Sequence, residues 1–330
     1  MPEGFVVRRS VFLKTVLLTR RLTEAVEERV GRSYRGLFNP EDTPLSADDI
    51  AQRSQEADAI LCCVTDRFSA DLLSRLGPKV QVLASVSVGT DHIDLPAARE
   101  KGLRVTNTPD VVTEATADIA LLLLLGAARR ASEGMELVRS GAWTGWGPTQ
   151  LLGRGFAGKR LGIVGMGRIG RAFAERVRPL GVEIHYTNRT RLPEALEKGA
   201  HFHDSLESLL EVSAFLSLHA PATDATRRMM NSRTLALLPR GAILVNCARG
   251  DLVDDEALLA ALRSGHLFSA GLDVFTGEPA LHPGYRTLTN VFLLPHLGTA
   301  TLETRTAMGF RALDNVEAVF TGREPPDAVV

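Results

Sequence analysis

Residues 160–181, RLGIVGMGRIGRAFAERVRPLG, run a short apolar stretch into a glycine turn and then into a helical pattern that stops at Gly181. Gly165, Gly167 and Gly170 fill a G-x-G-x-x-G spacing. Between a strand and a helix, such glycines make a tight turn and let backbone approach a pyrophosphate at the helix N-terminus. A unit of this kind commits its chain to an α/β fold. The same alternation of short apolar runs and helical stretches extends through the sequence, which predicts parallel sheets with helices on both faces.

Two sets of strands are expected. The first comprises residues 15–19, 59–64, 82–86 and 104–107, and the second residues 160–165, 183–188, 215–220, 242–248, 269–275 and 291–296. Between the sets, Thr113–Arg130 reads as one long helix with Thr113 as cap, packed between layers because its apolar residues crowd more than one face. At 330 residues the chain suits two domains.

Balanced charge, 38 Lys and Arg against 39 Asp and Glu, favours neither nucleic acid nor an anionic membrane as partner. Three cysteines cannot build a disulfide framework and show no zinc spacing, so a reducing cytoplasmic setting and no metal are expected. The most apolar run, residues 119–128, is too short to span a bilayer. Residues 1–13 lack the pattern of a secretory signal and read as a loose extension.

An NAD site usually carries an acidic residue about 20 positions after its first glycine, to hold the ribose hydroxyls. Here Gly165 plus 22 is Thr187, and the strand ends YTNRTR without a carboxylate. Arg189 and Arg191 offer guanidinium forks suited to a 2′-phosphate, with Asn188 and Thr190 as hydrogen-bond partners. NADP(H) is therefore favoured over NAD(H).

Three later turns each hold one ionisable side chain: Arg249 in NCARGD, Glu278 in FTGEP and His296 in LLPHLGT. Ligands of open α/β sheets bind at the carboxyl ends of strands, where these turns fall. Arg249 can grip a carboxylate with two prongs. His296 can move a proton near neutral pH, and a carboxylate such as Glu278 fixes the tautomer that does so. Taken singly, Arg249 would read as a surface ion pair with Asp251, Glu278 as a turn residue and His296 as structural.

Five ordered segments, SVGTDHID, GIVGMGRIG, NCARGDLVD, GLDVFTGEP and LLPHLGTAT, resemble those of the D-isomer-specific 2-hydroxyacid dehydrogenases. The similarity runs from about Thr15 to the C-terminus, and WTGWGP with YTNRTR makes it most similar to the glyoxylate/hydroxypyruvate reductases. The resemblance implies two Rossmann-like, doubly wound domains with a cleft between them. The substrate domain, flavodoxin-like and discontinuous, would take residues 1–108 and 300–330, and the cofactor domain residues 109–299.

It also implies roles. Val88 and Gly89 would offer backbone N–H groups to a substrate carboxylate beside Arg249, with His296 as general acid and Glu278 as its partner. Asp273 would lie near the nicotinamide. Met166, Gly167, Arg168 and Ile169 would line the pyrophosphate, and His219, Cys247 and Gly298 would border the cofactor. Trp143 would reach the partner subunit's pocket in a homodimer. The small substrate would be a 2-keto or 2-hydroxy acid.

With 34 residues after His296 (330 minus 296), the long phosphoglycerate dehydrogenases are not expected. Formate dehydrogenases pair the histidine with Gln, which Glu278 opposes. D-lactate dehydrogenases, other ketoacid reductases and cofactor-sensing corepressors stay open.

Overall fold

The computed structural model describes residues 13–330, so the loose extension expected over residues 1–13 falls outside the described residues up to residue 12. The chain forms two compact units. One comprises the described residues up to Val111 with Thr301–Val330, and the other is Val112–Ala300.

The first unit holds a five-stranded parallel sheet. Its strands are β1 (Thr15–Leu18), β2 (Arg35–Leu37), β3 (Ala59–Cys62), β4 (Val82–Ser85) and β5 (Arg104–Thr106), in the order β2-β1-β3-β4-β5. Runs such as TVLL, AILC and VLAS are buried at every position, as a parallel sheet covered on both faces requires. Successive side chains point to opposite faces. Leu17, Ile60, Leu83 and Val105 meet one core, while Val16, Leu18, Leu61 and Val82 meet another with Ala312, Leu313 and Val316. Those last three belong to the helix Leu302–Phe320, so the C-terminal segment completes the first unit.

The second unit is a seven-stranded parallel sheet. It contains β6 (Arg160–Val164), β7 (Glu183–Thr187), β8 (His201–Phe202), β9 (Phe215–Leu218), β10 (Ala242–Asn246), β11 (Leu267–Leu272) and β12 (Val291–Leu293). The order β12-β11-β10-β9-β6-β7-β8 puts the switch point at β6, between β7 and β9. The glycine turn after β6 therefore opens where ligands bind in such sheets. Residues 219, 247, 273 and 296 all follow strand ends on that same edge.

Two short edge strands, β2 and β8, escape the sequence pattern because three and two residues carry no usable period. The long helix is Thr113–Ala128, and its N-cap is Val112 with no side-chain cap bond. The expected Thr113 cap is thus corrected: Thr113 is already inside the first turn, too late for its hydroxyl to reach the free N–H groups. At the other end, Arg130 takes a left-handed backbone and a second helix, Ala131–Arg139, begins. The long helix packs on β10, β11, β12 and the helix Arg168–Val177, although Leu122 stays 44% exposed.

Its approach to β11 is close. A Cβ on Gly271 would lie 2.6 Å from the Leu123 carbonyl oxygen, a backbone atom that cannot swing aside. Gly271→Ala should therefore cost about 1–3 kcal/mol of stability, read as a lowered denaturation midpoint. An unchanged midpoint would contradict this packing.

Candidate functional site

The glycine turn is built for an anion. Gly165 has φ +93, and a Cβ there would meet the Ala220 nitrogen at 2.7 Å, so β6 and β9 end almost in contact. A Cβ on Gly170 would lie 2.4 Å from Gly165 O, whereas Gly167 faces open space. Gly167 is also the N-cap of the helix Arg168–Val177, and no side chain caps that end. The first N–H groups of the helix are left for an external acceptor, with the helix dipole behind them. This fits a dinucleotide pyrophosphate. Met166 is buried, Ile169 half-buried and Arg168 exposed along the turn.

The end of β7 holds the turn in place. Gly165 N donates to Thr187 O at 3.0 Å, and Met166 N donates to Asn188 Oδ1 at 2.6 Å. Asn188 thus spends its oxygen on the glycine turn. Arg191 donates through Nε and Nη2 to Glu197 at 2.8 and 3.1 Å, and the Tyr186 hydroxyl donates to the same carboxylate at 2.5 Å. Of the two forks expected at a 2′-phosphate, that of Arg191 is thereby engaged within the fold, while Arg189 and Thr190 stand exposed beside it.

The strand-end turns on the other side of the switch point form a second cluster. Asn246 closes the NCARGD turn, its Oδ1 accepting from Ala248 N and its Nδ2 donating to Arg249 O at 2.8 Å. A Cβ on Gly250 would lie 2.0 Å from the Phe275 carbonyl carbon, so only glycine lets the Arg249 turn press on the end of β11. Arg249 Nη1 donates to Ala248 O at 2.7 Å, and Asp251 is paired with Arg227.

Glu278 accepts from Phe275 N at 2.7 Å through Oε1 and meets His296 Nδ1 at 2.7 Å through Oε2. Burial opposes its ionisation. The bonds from His296 and Phe275, with the Arg249 charge nearby, outweigh burial and hold the carboxyl below its ordinary value. An ionised carboxylate can only accept, so Nδ1 of His296 carries the proton. His296 itself sits at φ +55, which the Asp273 carboxylate supports by accepting from Leu297 N and Gly298 N.

His219 lies among Ser217, Phe173 and Cys247, and desolvation lowers its pKa to about 3. Burial pushes the Cys247 thiol up to about 12. A neutral imidazole and a protonated thiol suit a wall of the site, not acid–base or nucleophilic work.

The second unit thus gathers Arg249, Glu278, His296, Asp273 and Gly298 on one edge, with the glycine turn, His219 and Cys247 on the same sheet end. Val88 and Gly89 follow β4 in the first unit, with Val88 39% exposed. Trp143 lies in an exposed segment, and among the described residues it makes no hydrogen bond or ring contact with that group. Asn246 went unnoticed in the sequence, although an Asn opening a turn after a strand is a local signal. Among the described residues no cluster of three or more His, Cys, Asp or Glu could hold a metal, and no helix is long and apolar enough to cross a membrane.

Two parallel α/β units, a glycine turn at a helix N-terminus and an imidazole–carboxylate pair at strand ends fit a nucleotide-dependent oxidoreductase. Residues 121–298 match the family model for the D-isomer specific 2-hydroxyacid dehydrogenase, NAD binding domain. A glycerate dehydrogenase of Hyphomicrobium methylovorum is 42% identical over 94% of this chain and 97% of its own length. A glyoxylate reductase of Thermococcus litoralis is 42% identical over 95% and 96%.

Among solved structures, a putative D-isomer specific 2-hydroxyacid dehydrogenase from Polaromonas sp. superposes with TM-score 0.92 at 47% identity, covering 96% of this chain and 100% of that one. An NADPH-dependent glyoxylate/hydroxypyruvate reductase from Sinorhizobium meliloti, in complex with NADP and malonate, gives TM-score 0.86 at 31% identity, covering 96% and 97%. The chain belongs to the D-isomer-specific 2-hydroxyacid dehydrogenases.

The Glu197 pair gives a pH test of the loop after β7. Arg191 and then Tyr186 hold the Glu197 pKa at about 2, well below its unfolded value. A depressed carboxyl contributes stability above the unfolded pKa and loses it as pH falls through the folded one. Between about pH 5 and about pH 2, wild type should therefore lose more stability in denaturant titrations than Glu197→Gln. Equal losses would contradict the pairing.

Proposed function

We propose that the chain reduces glyoxylate or hydroxypyruvate to glycolate or D-glycerate, with NADPH as hydride donor and His296 as general acid. The observation that carries this reading is the 2.7 Å contact of His296 Nδ1 with an ionised Glu278. It fixes the tautomer with the proton on Nδ1 and leaves Nε2 to face the substrate oxygen. Arg249 grips the substrate carboxylate and polarises the carbonyl, and the Val88 and Gly89 N–H groups of the first unit donate to the carboxylate. The first unit is then the substrate domain and the second the cofactor domain.

Bound NADPH supplies the hydride. Gly165, Met166, Gly167, Arg168, Ile169 and Gly170 hold its pyrophosphate, and Arg189 with Thr190 takes the 2′-phosphate. Asp273, His219, Cys247 and Gly298 border the nicotinamide half. The absence of a carboxylate in residues 187–191 supports NADP(H) over NAD(H). The NADP-bound relative from Sinorhizobium meliloti supports it too.

The direct test follows nicotinamide absorbance with glyoxylate, hydroxypyruvate and pyruvate, each with NADPH and NADH. Turnover of the first two with NADPH is expected. His296→Ala should lower kcat by about 10²–10⁴-fold, and Arg249→Lys should raise KM because an ammonium cannot pair two-pronged. Near wild-type turnover of His296→Ala would sink the assignment. Preference for pyruvate would make the chain a D-lactate type of reductase.

We also infer a homodimer. Trp146 is 83% exposed, Val138 61%, Leu152 59%, Trp143 54% and Met135 48%, a cluster of apolar side chains in one stretch that a partner would cover. Sedimentation should return twice the 35.7 kDa chain mass, and a single-chain mass would contradict it. Three unpaired thiols, Cys62, Cys63 and Cys247, suit a reducing cytoplasm.

A further inference from the structure

The three peptides that carry the Val88, Gly89 and Thr90 nitrogens have all their carbonyls tied back. Ser87 O accepts from Thr108 N at 2.8 Å, Val88 O from Asn107 Nδ2 at 2.8 Å, and Gly89 O from the Ser87 hydroxyl at 2.7 Å. In a planar trans peptide the following N–H points opposite to the carbonyl. The N–H groups of Val88, Gly89 and Thr90 are therefore turned away from the groups that hold the carbonyls. Among the described residues none of these three N–H groups donates a hydrogen bond. Successive free N–H groups make a concavity for an anion.

The hydroxyl that orients Gly89 is itself fixed. Ser87 has one hydroxyl proton, and it goes to Gly89 O, so at the 2.6 Å contact with Ser85 the Ser87 oxygen accepts. Ser85 then has no proton left, and at 3.0 Å its oxygen accepts from His92 Nε2. Proton counting thus gives a one-way chain from His92 Nε2–H to Ser85, to Ser87, to Gly89 O. Ser85 is 0%, Ser87 4% and His92 9% exposed, so water does not replace a lost member without cost. Ser85 is also the last residue of β4, which anchors the chain to the sheet.

We infer that His92, Ser85, Ser87 and Asn107 are positioning residues that hold the Val88–Thr90 N–H groups toward a carboxylate and so set the preference for carboxylate-bearing substrates. The inference rests on the reading that this backbone receives the substrate carboxylate. It differs from that reading in locating the cause of carboxylate preference in a buried side-chain relay that never touches substrate.

The test compares glyoxylate with glyoxal, which keeps the reactive aldehyde and lacks the carboxylate, using the full chain with saturating NADPH. Ser87→Ala and His92→Leu should each raise KM for glyoxylate about tenfold and leave glyoxal kinetics unchanged. Ser87→Thr and His92→Gln keep the donors and should retain the wild-type preference. Nitrogen-15 NMR of the cofactor-free chain should find the His92 proton on Nε2, a readout independent of turnover and of whether a variant folds.

A glyoxylate-to-glyoxal preference that survives in Ser87→Ala or His92→Leu would overturn the inference, as would a bare Nε2. A parallel fall in kcat for both substrates would also overturn it, since that marks a merely structural role. Wild type reducing glyoxal as efficiently as glyoxylate would instead overturn the carboxylate reading beneath it.

Discussion

Asp273 is fully buried at the end of β11, and both its oxygens accept backbone N–H groups, from Leu297 at 2.6 Å and from Gly298 at 2.8 Å. Burial raises its pKa, and these bonds work against that rise. Hydrogen bonds to a charged group contribute about 1.5–3 kcal/mol each, enough to offset much of the desolvation of one carboxylate. The same residue links three strand ends through its backbone: its N–H donates to Asn246 O, and its carbonyl accepts from His296 N. His296 can hold its left-handed φ only because both sides of its peptide are so fixed.

From that anchor the neighbouring turns follow. Asn246 shapes the Arg249 turn, Gly250 lets it approach Phe275, and Phe275 N orients Glu278 against His296. The proposed proton donor is thus placed by main-chain bonds at three adjacent strand ends. The glycine turn at the switch point is placed separately, by Asn188 and Thr187 at the end of β7.

Much of this was legible in the sequence because its signals are local. A strand, three glycines and a helix lie within 22 residues, residues 160–181 inclusive, and each strand-end turn carries its own polar residue. What escaped depends on contacts between segments. Arg191 reads as a free cation, yet the short helix Glu194–Glu197 turns a buried carboxylate beneath it. Nothing in SVSVGTDHID marks the imidazole as the end of a hydroxyl chain, because the direction of that chain comes from counting protons across a folded loop. The strands β2 and β8 were missed for want of length, and Thr113 was misplaced by one residue at a helix start whose turn is set by Asp110 at φ +70.

The central claim is that Glu278 fixes His296 as the proton donor. The most direct measurement is kcat for glyoxylate reduction with saturating NADPH in wild type and Glu278→Gln. The carboxylate can only accept, so it holds the proton on Nδ1 and turns Nε2 to the substrate. An amide can also donate and releases that tautomer, so kcat should fall by about 10²-fold in the variant. An unchanged kcat would contradict the account.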